Sequence, residues 1–195
     1  MILAMQKRRE IFRELLSKDN VMILTHKSPD GDTLGTAFAL CRVYALQGKK
    51  AAVVCSDRIP VSYRFLTEGK IMLEADFSPD CIVSVDVADA KLLGDSFSGY
   101  ADRIDYGIDH HPSNTGYAKK TIVDSAASSA GELLFDLLKE AEIPFDRQTA
   151  VCLYTAVTSD TGCFKFANVT PHTHQVAAEL LQYGFEAEPI NRRLF

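Results

Sequence analysis

Aspartate and histidine are concentrated at four places where an apolar run of this sequence ends. These places are residues 26–32 (HKSPDGD), Asp86 after the run 81–85, residues 109–111 (DHH) and residues 159–162 (SDTG). Carboxylate oxygens combined with imidazole nitrogens suit Mn²⁺ or Mg²⁺ better than a structural zinc ion. Two such ions about 3.5 to 4 Å apart activate a water and neutralise developing charge in phosphoryl hydrolysis. The residue types therefore indicate two-metal hydrolytic chemistry.

Each of these segments also has a simpler interpretation. Pro-Asp-Gly-Asp is a common surface turn, and Asp160 could cap a turn at the end of its apolar run. Asp86 could cap a helix, although Asp89 is better placed for that role. A carboxylate at the end of a buried strand costs desolvation energy unless a cation or donors compensate it. Two adjacent imidazoles repel each other when both are charged, and metal ligation keeps at least one neutral.

Apolar runs of strand length alternate with segments of helical period along the whole chain. The predicted strands are residues 21–24, 51–55, 81–87, 104–109 and 117–123. The predicted helices are an amphipathic opening segment and residues 33–47, 131–141, 147–158 and 176–181. This alternation is typical of one α/β domain in which a mostly parallel sheet is flanked by helices on both faces. Ligands of such domains bind beyond the carboxyl ends of the strands.

The composition excludes several classes of protein. With 47% hydrophobic and 24% charged residues, the chain is typical of globular proteins rather than of disordered or collagen-like ones. Its 21 basic and 26 acidic residues give a net charge of -5, which argues against a broad surface for long nucleic acid. Because no apolar run spans a membrane and no signal-peptide pattern is present, we expect a cytoplasmic protein. The five widely spaced cysteines are expected to serve as small hydrophobic residues.

Two further features lie outside the four segments. Thr170 and Pro171 predict a helix start, so packing or capping is the preferred interpretation of the neighbouring residues His172 and His174. The serines at 128 and 129 precede a predicted helix whose free amides could bind a phosphate. Serine is also an ordinary residue at the start of a helix.

The four segments, in this order, resemble motifs one to four of the DHH superfamily of phosphoesterases. The run 154–174 (YTAVTSDTGCFKFANVTPHTH), with residues 128–138 (SSAGELLFDLL) before it, is most similar to the oligoribonuclease and PAP (3′-phosphoadenosine 5′-phosphate) phosphatase branch. In that branch a threonine-histidine pair recurs at the position of His174. The resemblance thus implies that His174 would stabilise the site from the side away from the substrate. Type II inorganic pyrophosphatases share the scaffold but typically carry threonine where Gly31 stands.

The resemblance implies a site with two divalent ions, preferably Mn²⁺ and alternatively Mg²⁺. The implied ligands are His26, Asp30 and Asp86 for one ion, and Asp32, Asp86, His110 and Asp160 for the other. Asp86 would bridge the ions, and a hydroxide held between them would be the nucleophile. Asp109 would orient the ligand His110. His111 would face the phosphate, either stabilising its charge or assisting the leaving oxygen.

The implied function is hydrolysis of short oligonucleotides or of PAP. A cyclic-dinucleotide phosphodiesterase and an inorganic pyrophosphatase are the alternatives within the superfamily, and a silent module that binds nucleotide or metal is the alternative outside catalysis. Members of this branch usually continue into a C-terminal DHH-associated domain that grips the substrate. The resemblance of residues 1–195 is to the catalytic part alone, so we expect them to form the DHH catalytic domain without that second domain. A homodimer is compatible with this interpretation.

Overall fold

The computed structural model describes residues 2–67, 75 and 77–195. Its five strands are β1 (Val21–Leu24), β2 (Ala51–Val54), β3 (Cys81–Val85), β4 (Tyr106–Asp109) and β5 (Lys120–Val123). They form one sheet in the order β2-β1-β3-β4-β5, and every neighbouring pair is parallel. The strand order reverses between β1 and β3, which is where domains of this kind bind ligands. The predicted α/β class with a parallel sheet is confirmed.

Six α-helices are formed by the described residues. They are α1 (Ile2–Leu16), α2 (Gly31–Leu46), α3 (Ala130–Glu140), α4 (Arg147–Asp160), α5 (Pro171–Leu181) and α6 (Ala187–Leu194). Side-chain caps fix the first turns of four of them, because Asp30, Ser129, Asp146 and Thr170 each accept a hydrogen bond from a backbone amide of the helix that follows. The predicted helix start at Thr170 and Pro171 is confirmed, and it forms a capping box with Thr173.

The two faces of the sheet are covered in different ways. Side chains alternate along each strand, so Val21 and Ile23 belong to a large apolar cluster with the six α-helices, while Met22 and Leu24 face a smaller one. The smaller cluster is covered by the 3₁₀ helices Ala90–Leu93 and Asp95–Arg103. The chain between β3 and β4 therefore crosses this face without an α-helix, because Gly94, with φ of +84°, separates two short helices.

Helices α2 and α3 both pack closely against α4 near the site. A Cβ atom at Gly35 of α2 would lie 2.5 Å from the carbonyl oxygen of Cys152 in α4. A Cβ atom at Gly131 of α3 would lie 2.4 Å from the Ala156 Cβ atom of α4. Glycine at both positions therefore allows the N-terminal parts of α2 and α3 to pack closely against α4. The polar residues at these three helix ends are brought to one place.

Predictions from composition agree with the described part of the chain. No disulfide joins any of the five cysteines, and Cys55, Cys81 and Cys152 are buried, as expected of small hydrophobic residues. None of the helices in the described ranges combines the length and the apolar content needed to cross a bilayer.

Candidate metal centre

Six carboxylate and imidazole side chains converge at the carboxyl end of the sheet. His26 follows β1, Asp86 follows β3 and His110 follows β4, while helix ends supply the others. Asp30 caps α2, Asp32 lies in its first turn, and Asp160 is the last residue of α4. The structure thus brings together all six side chains that the sequence indicated as ligands.

The six side chains form two potential ion-binding groups, His26 with Asp30 and Asp86, and Asp32 with His110 and Asp160, and Asp86 also forms a third group with His110 and His111. In the first group, His26 Nε2 lies 3.7 Å from Asp30 Oδ1 and 3.6 Å from Asp86 Oδ2. In the second, His110 Nε2 lies 3.6 Å from Asp32 Oδ2, 3.6 Å from Asp86 Oδ1 and 3.7 Å from Asp160 Oδ2. Asp86 presents a different oxygen to each group, which is the position of a bridging carboxylate.

The spacing of the donor atoms fits divalent ions. Donors that share one ion at about 2.0 to 2.2 Å lie roughly 3 to 4 Å from each other. The separations of 3.6 to 3.7 Å found here lie in this range and are too long for a hydrogen bond. Within the described ranges, Asp86 Oδ1 and His110 Nε2 are buried and have no hydrogen-bond partner. Buried polar atoms are normally partnered, so an ion between these two atoms would satisfy both. The donor set therefore fits two divalent ions.

The backbone of Asp86 directs its carboxylate into this cluster. Asp86 has φ of +57°, a left-handed conformation that non-glycine residues rarely adopt. For this reason β3 ends at Val85, two residues before the predicted end of the strand. The Asp86 amide still donates to Ile108 O of β4 at 2.9 Å, which fixes the turn. Backbone strain of this kind, held by surrounding contacts, is concentrated at functional sites.

The first amides of α3 bind the Asp32 carboxylate. Ala130 N donates to Asp32 Oδ2 at 2.7 Å and Gly131 N to Asp32 Oδ1 at 2.9 Å. The amides that the sequence suggested for a phosphate therefore already have a carboxylate as partner. Of the two serines before them, Ser129 caps the helix and Ser128 Oγ donates to Glu132 Oε2 at 2.6 Å.

Asp109 contacts a different histidine from the one predicted. Its Oδ1 atom lies 2.8 Å from His111 Nδ1, whereas His110 Nδ1 lies 3.3 Å from the carbonyl oxygen of Ala127. The prediction that Asp109 orients the His110 ring is therefore wrong. The His110 backbone amide donates to Asp109 Oδ1 at 2.9 Å, and this tight turn directs the two rings to different partners.

The carboxylates of the cluster repel one another when no ion neutralises their charge. Burial raises the pKa of Asp32, and the charges of Asp86 and Asp160 raise it further. Burial also raises the pKa of Asp86 and of Asp160. Burial alone would lower the pKa of His26, but its contacts with Asp30 and Asp86 outweigh this effect and raise it to about 10. An ion bound by His26 must therefore displace a proton.

The two remaining histidines lie outside both groups. His172 Nε2 is 2.9 Å from Asp136 Oδ1, and the His174 ring stacks on Phe164 with 5.4 Å between the ring centroids. The preferred interpretation of both as packing or capping residues agrees with these contacts, since neither ring belongs to a potential ion-binding group in the described ranges.

Two asparagines near the cluster are absent from the predicted site. Asn114 Nδ2 donates to Asp109 Oδ2 at 2.6 Å, and Asn168 Nδ2 donates to Asp160 Oδ2 at 3.2 Å. Both follow a metal-ligand candidate by a few residues along the chain. An asparagine soon after a polar turn is a weak sequence signal for a residue that orients a ligand, because asparagine at such a place more often caps the turn itself.

Removal and return of Mn²⁺ should change the melting temperature of the chain. At free Mn²⁺ about 100 times Kd, each site adds about 2.7 kcal/mol to the free energy of unfolding. For a chain of this size that corresponds to a rise of about 5 to 10 °C in Tm per site. Thermal melts of the chain in EDTA and after return of Mn²⁺ measure this rise.

The rise in Tm should be larger at about pH 8 than at about pH 6. The raised pKa values of the three carboxyl groups make the metal-free chain less stable as the pH rises above about 4. The pairing of His26 acts in the same direction, because it is complete below about 6.5 and is lost as the pH approaches the folded pKa of about 10. His172→Gln is the matched control and should keep the full rise. An equal Tm with and without Mn²⁺ at both pH values would contradict the metal centre.

The sequence of this chain matches the model of the DHH family, N-terminal domain, over residues 20–157. It is 30% identical over 183 residues to the bifunctional oligoribonuclease and PAP phosphatase NrnA of Thermus thermophilus, an alignment that covers 89% of this chain and 53% of the relative. It is 25% identical over 189 residues to the protein of the same name from Bacillus subtilis, covering 95% and 60% of the two chains.

The fold is also similar to that of a solved structure. An exopolyphosphatase-related protein from Bacteroides fragilis superposes with a TM-score of 0.87 at 24% identity, covering 97% of this chain and 60% of the other. At this identity the likeness concerns the fold alone. The chain spans between half and two thirds of the length of the relatives and of this structure.

Proposed function

Because this chain belongs to the DHH family, we propose that it is a metal-dependent phosphoesterase that hydrolyses short oligonucleotides and PAP. The observation that carries the proposal is the pair of donor groups on either side of Asp86, whose two oxygens each lie 3.6 Å from a histidine of one group. Similarity to proteins named for these two activities supports the choice of substrates.

The proposed ion-binding residues are those of the two groups. One Mn²⁺ or Mg²⁺ ion would be held by His26, Asp30 and Asp86, and the other by Asp32, Asp86, His110 and Asp160. When bound, the two ions supply an activated water and neutralise the charge that develops on the phosphate. Preorganised backbone donors fix the most buried of the ligands, since the amides of α3 bind Asp32.

The cluster is open on one side. The side chains of Asp30 and His111 are 51% and 43% exposed, whereas those of Asp32 and Asp86 are 1% and 4% exposed. A phosphoester would therefore approach from the side on which His111 lies.

His111 is proposed to act on the substrate rather than on the ions, and Asp109 to position its ring. Protonated His111 donates from Nδ1 to Asp109 and keeps Nε2–H free for an oxygen of the substrate. Asp109, 1% exposed and held by Asn114, fixes the orientation of the ring. The proton on His111 Nε2 would stabilise phosphate charge or transfer to the leaving oxygen.

The packing around Gly31 argues against the pyrophosphatase alternative. A Cβ atom at this position would lie 2.5 Å from the Cβ atom of Ser159 and 2.9 Å from the Tyr63 ring. Threonine, which is typical of the pyrophosphatases at this position, would displace Ser159 and with it the neighbouring ligand Asp160. The local packing is therefore built for glycine.

Hydrolysis by the purified chain tests the proposal. The protein is stripped with EDTA, reloaded with Mn²⁺ and incubated separately with a dinucleotide, PAP, cyclic di-AMP and pyrophosphate. We expect Mn²⁺-dependent release of mononucleotide from the dinucleotide and of phosphate from PAP. The stripped protein without added metal is the blank.

Each other outcome identifies a different function. Release of phosphate from pyrophosphate alone would replace the proposal by the pyrophosphatase alternative, and cleavage of cyclic di-AMP alone would indicate the cyclic-dinucleotide phosphodiesterase. Tight Mn²⁺ binding with no hydrolysis of any of the four compounds, nor of the small activated ester bis(p-nitrophenyl) phosphate, which needs few remote contacts, would indicate a binding module.

A further inference from the structure

One five-residue segment is connected to three ligands of the second proposed ion. Residues 127–131, called here the α3 entry segment, accept from His110 Nδ1 through the Ala127 carbonyl at 3.3 Å. The amides of Ala130 and Gly131 donate to Asp32. The segment is rigid, because Ser128 and Ser129 are fully buried and both bond to Glu132.

The third ligand, Asp160, reaches the α3 entry segment through Asn168. The side-chain amide of Asn168 lies 2.9 Å from the carbonyl oxygen of Ser128, 3.1 Å from the carbonyl oxygen of Asp160 and 3.2 Å from Asp160 Oδ2. All three partners are acceptors, so the orientation of the amide follows from its contacts. In the described ranges no other group donates a hydrogen bond to the Asp160 carboxylate.

The backbone after Asp160 bends so that Asn168 returns to it. Gly162, Cys163 and Phe164 are three consecutive residues with φ between +55° and +62°. For the two non-glycine residues this conformation is unfavourable and persists only where surrounding contacts impose it. Those contacts are local, since Cys163 N donates to Thr158 O at 2.8 Å and Phe164 N to Thr161 Oγ1 at 3.1 Å.

We propose that Asn168 is a positioning residue that holds the Asp160 carboxylate against the α3 entry segment, the same segment that contacts Asp32 and His110. The inference rests on the proposed metal-dependent function and names a residue that does not itself contact the ions. Asp160 needs such a partner because its side chain is 30% exposed and it lies at the carboxyl end of α4, where the helix dipole disfavours a carboxylate. Without Asn168, the carboxylate would rotate toward solvent.

Two variants and one control test this role through Mn²⁺ binding. Asn168→Ala removes the connection, and Asn168→Asp places a second carboxylate against Asp160 with no N–H to donate. Calorimetric titration of the metal-free proteins should show one Mn²⁺ site weakened about 10- to 100-fold in both variants, with the other site unchanged. Asn191→Asp is the control, since the Asn191 amide contacts Tyr154 Oη at 3.5 Å, outside the cluster, and it should bind both ions normally.

A second measurement separates positioning from a general structural effect. The Tm of the metal-free variants should match that of the Asn191 control, and excess Mn²⁺ should restore most of the lost turnover of a dinucleotide. If Asn168→Asp fails to fold, the result for Asn168→Ala decides, because it adds no charge. Wild-type affinity at both sites in Asn168→Ala would overturn the inference while leaving the proposed function intact. Two tightly bound ions in the wild type without hydrolysis would overturn the function alone, and a wild type that binds no Mn²⁺ would overturn both.

Discussion

Replacement of Asp86 by asparagine should reduce Mn²⁺ binding from two ions to at most one and nearly abolish turnover. In the wild type, Asp86 Oδ2 lies 3.6 Å from His26 Nε2 and Asp86 Oδ1 lies 3.6 Å from His110 Nε2, so the replacement takes a ligand from each proposed ion. Metal stabilisation of the transition state is worth several kcal/mol, and each 1.4 kcal/mol is about a factor of ten, so kcat should fall by about 10³-fold or more. Calorimetry with Mn²⁺ and a dinucleotide assay measure the two effects.

Asparagine is the informative replacement because it preserves shape and backbone. It tolerates the left-handed conformation of position 86, with φ of +57°, better than alanine does. The matched control is Asp89→Asn, in which an aspartate three residues away caps a 3₁₀ helix by accepting from Lys91 N. Asn is an equally good cap, so this variant should bind both ions and turn over normally. Two ions bound at wild-type affinity by Asp86→Asn would remove the bridge from the proposed centre.

The ligand candidates could be found in the sequence because each one lies directly at the end of an element. Asp86 follows the apolar run of β3, and His110 follows β4, so the parallel arrangement alone places them at one edge of the sheet. The same holds for Asp160, which ends an apolar helix. A pattern along the chain is sufficient when the position of a side chain follows from its element.

The groups that orient these ligands could not be found in this way. The amides that bind Asp32 are 98 residues away in the chain, and the carbonyl that contacts His110 is 17 residues away. Which of the two adjacent imidazoles turns to Asp109 depends on these distant contacts, so the role that the resemblance implied for Asp109 was given to the wrong histidine. Asn168 was missed for the same reason, since its role depends on the left-handed turn that returns it to Asp160.

The elements that cover the second face of the sheet could not be predicted from a pattern along the chain either. Alternating strands and helical segments predicted a parallel sheet with helices on both faces, and the structure has its α-helices on one face and 3₁₀ helices on the other. The 3₁₀ helices between β3 and β4 are held by single residues, the buried Leu93 and the partly buried Phe97. Such contacts leave no periodic trace in the sequence.

Replacement of His111 by glutamine should lower kcat about 10² to 10⁴-fold while both Mn²⁺ ions remain bound. The reason is that His111 Nδ1 is already engaged by Asp109 at 2.8 Å and its ring is 43% exposed on the open side of the cluster. His110→Gln should give the opposite pattern, with one ion lost, because His110 Nε2 lies among three carboxylates. Loss of an ion in His111→Gln would instead place this imidazole among the ligands, in the third possible group that it forms with Asp86 and His110.

The pH dependence of Asp109→Asn separates catalysis by protonated His111 from a purely structural role. The hydrogen bond from Asp109 raises the pKa of His111, although burial acts against it, and Asp86 raises it further. If the protonated ring donates to the substrate, activity is present below this pKa and is lost as the pH rises through it. Removal of the Asp109 charge lowers the pKa of His111, so the alkaline limb of the kcat profile should move to lower pH while Mn²⁺ stoichiometry stays the same. Asn114→Ala, which leaves Asp109 charged but loosens it, should lower kcat with a much smaller displacement of that limb. An alkaline limb at the wild-type position in Asp109→Asn would mean that the proton on His111 takes no part in the reaction, and that Asp109 only holds the ring.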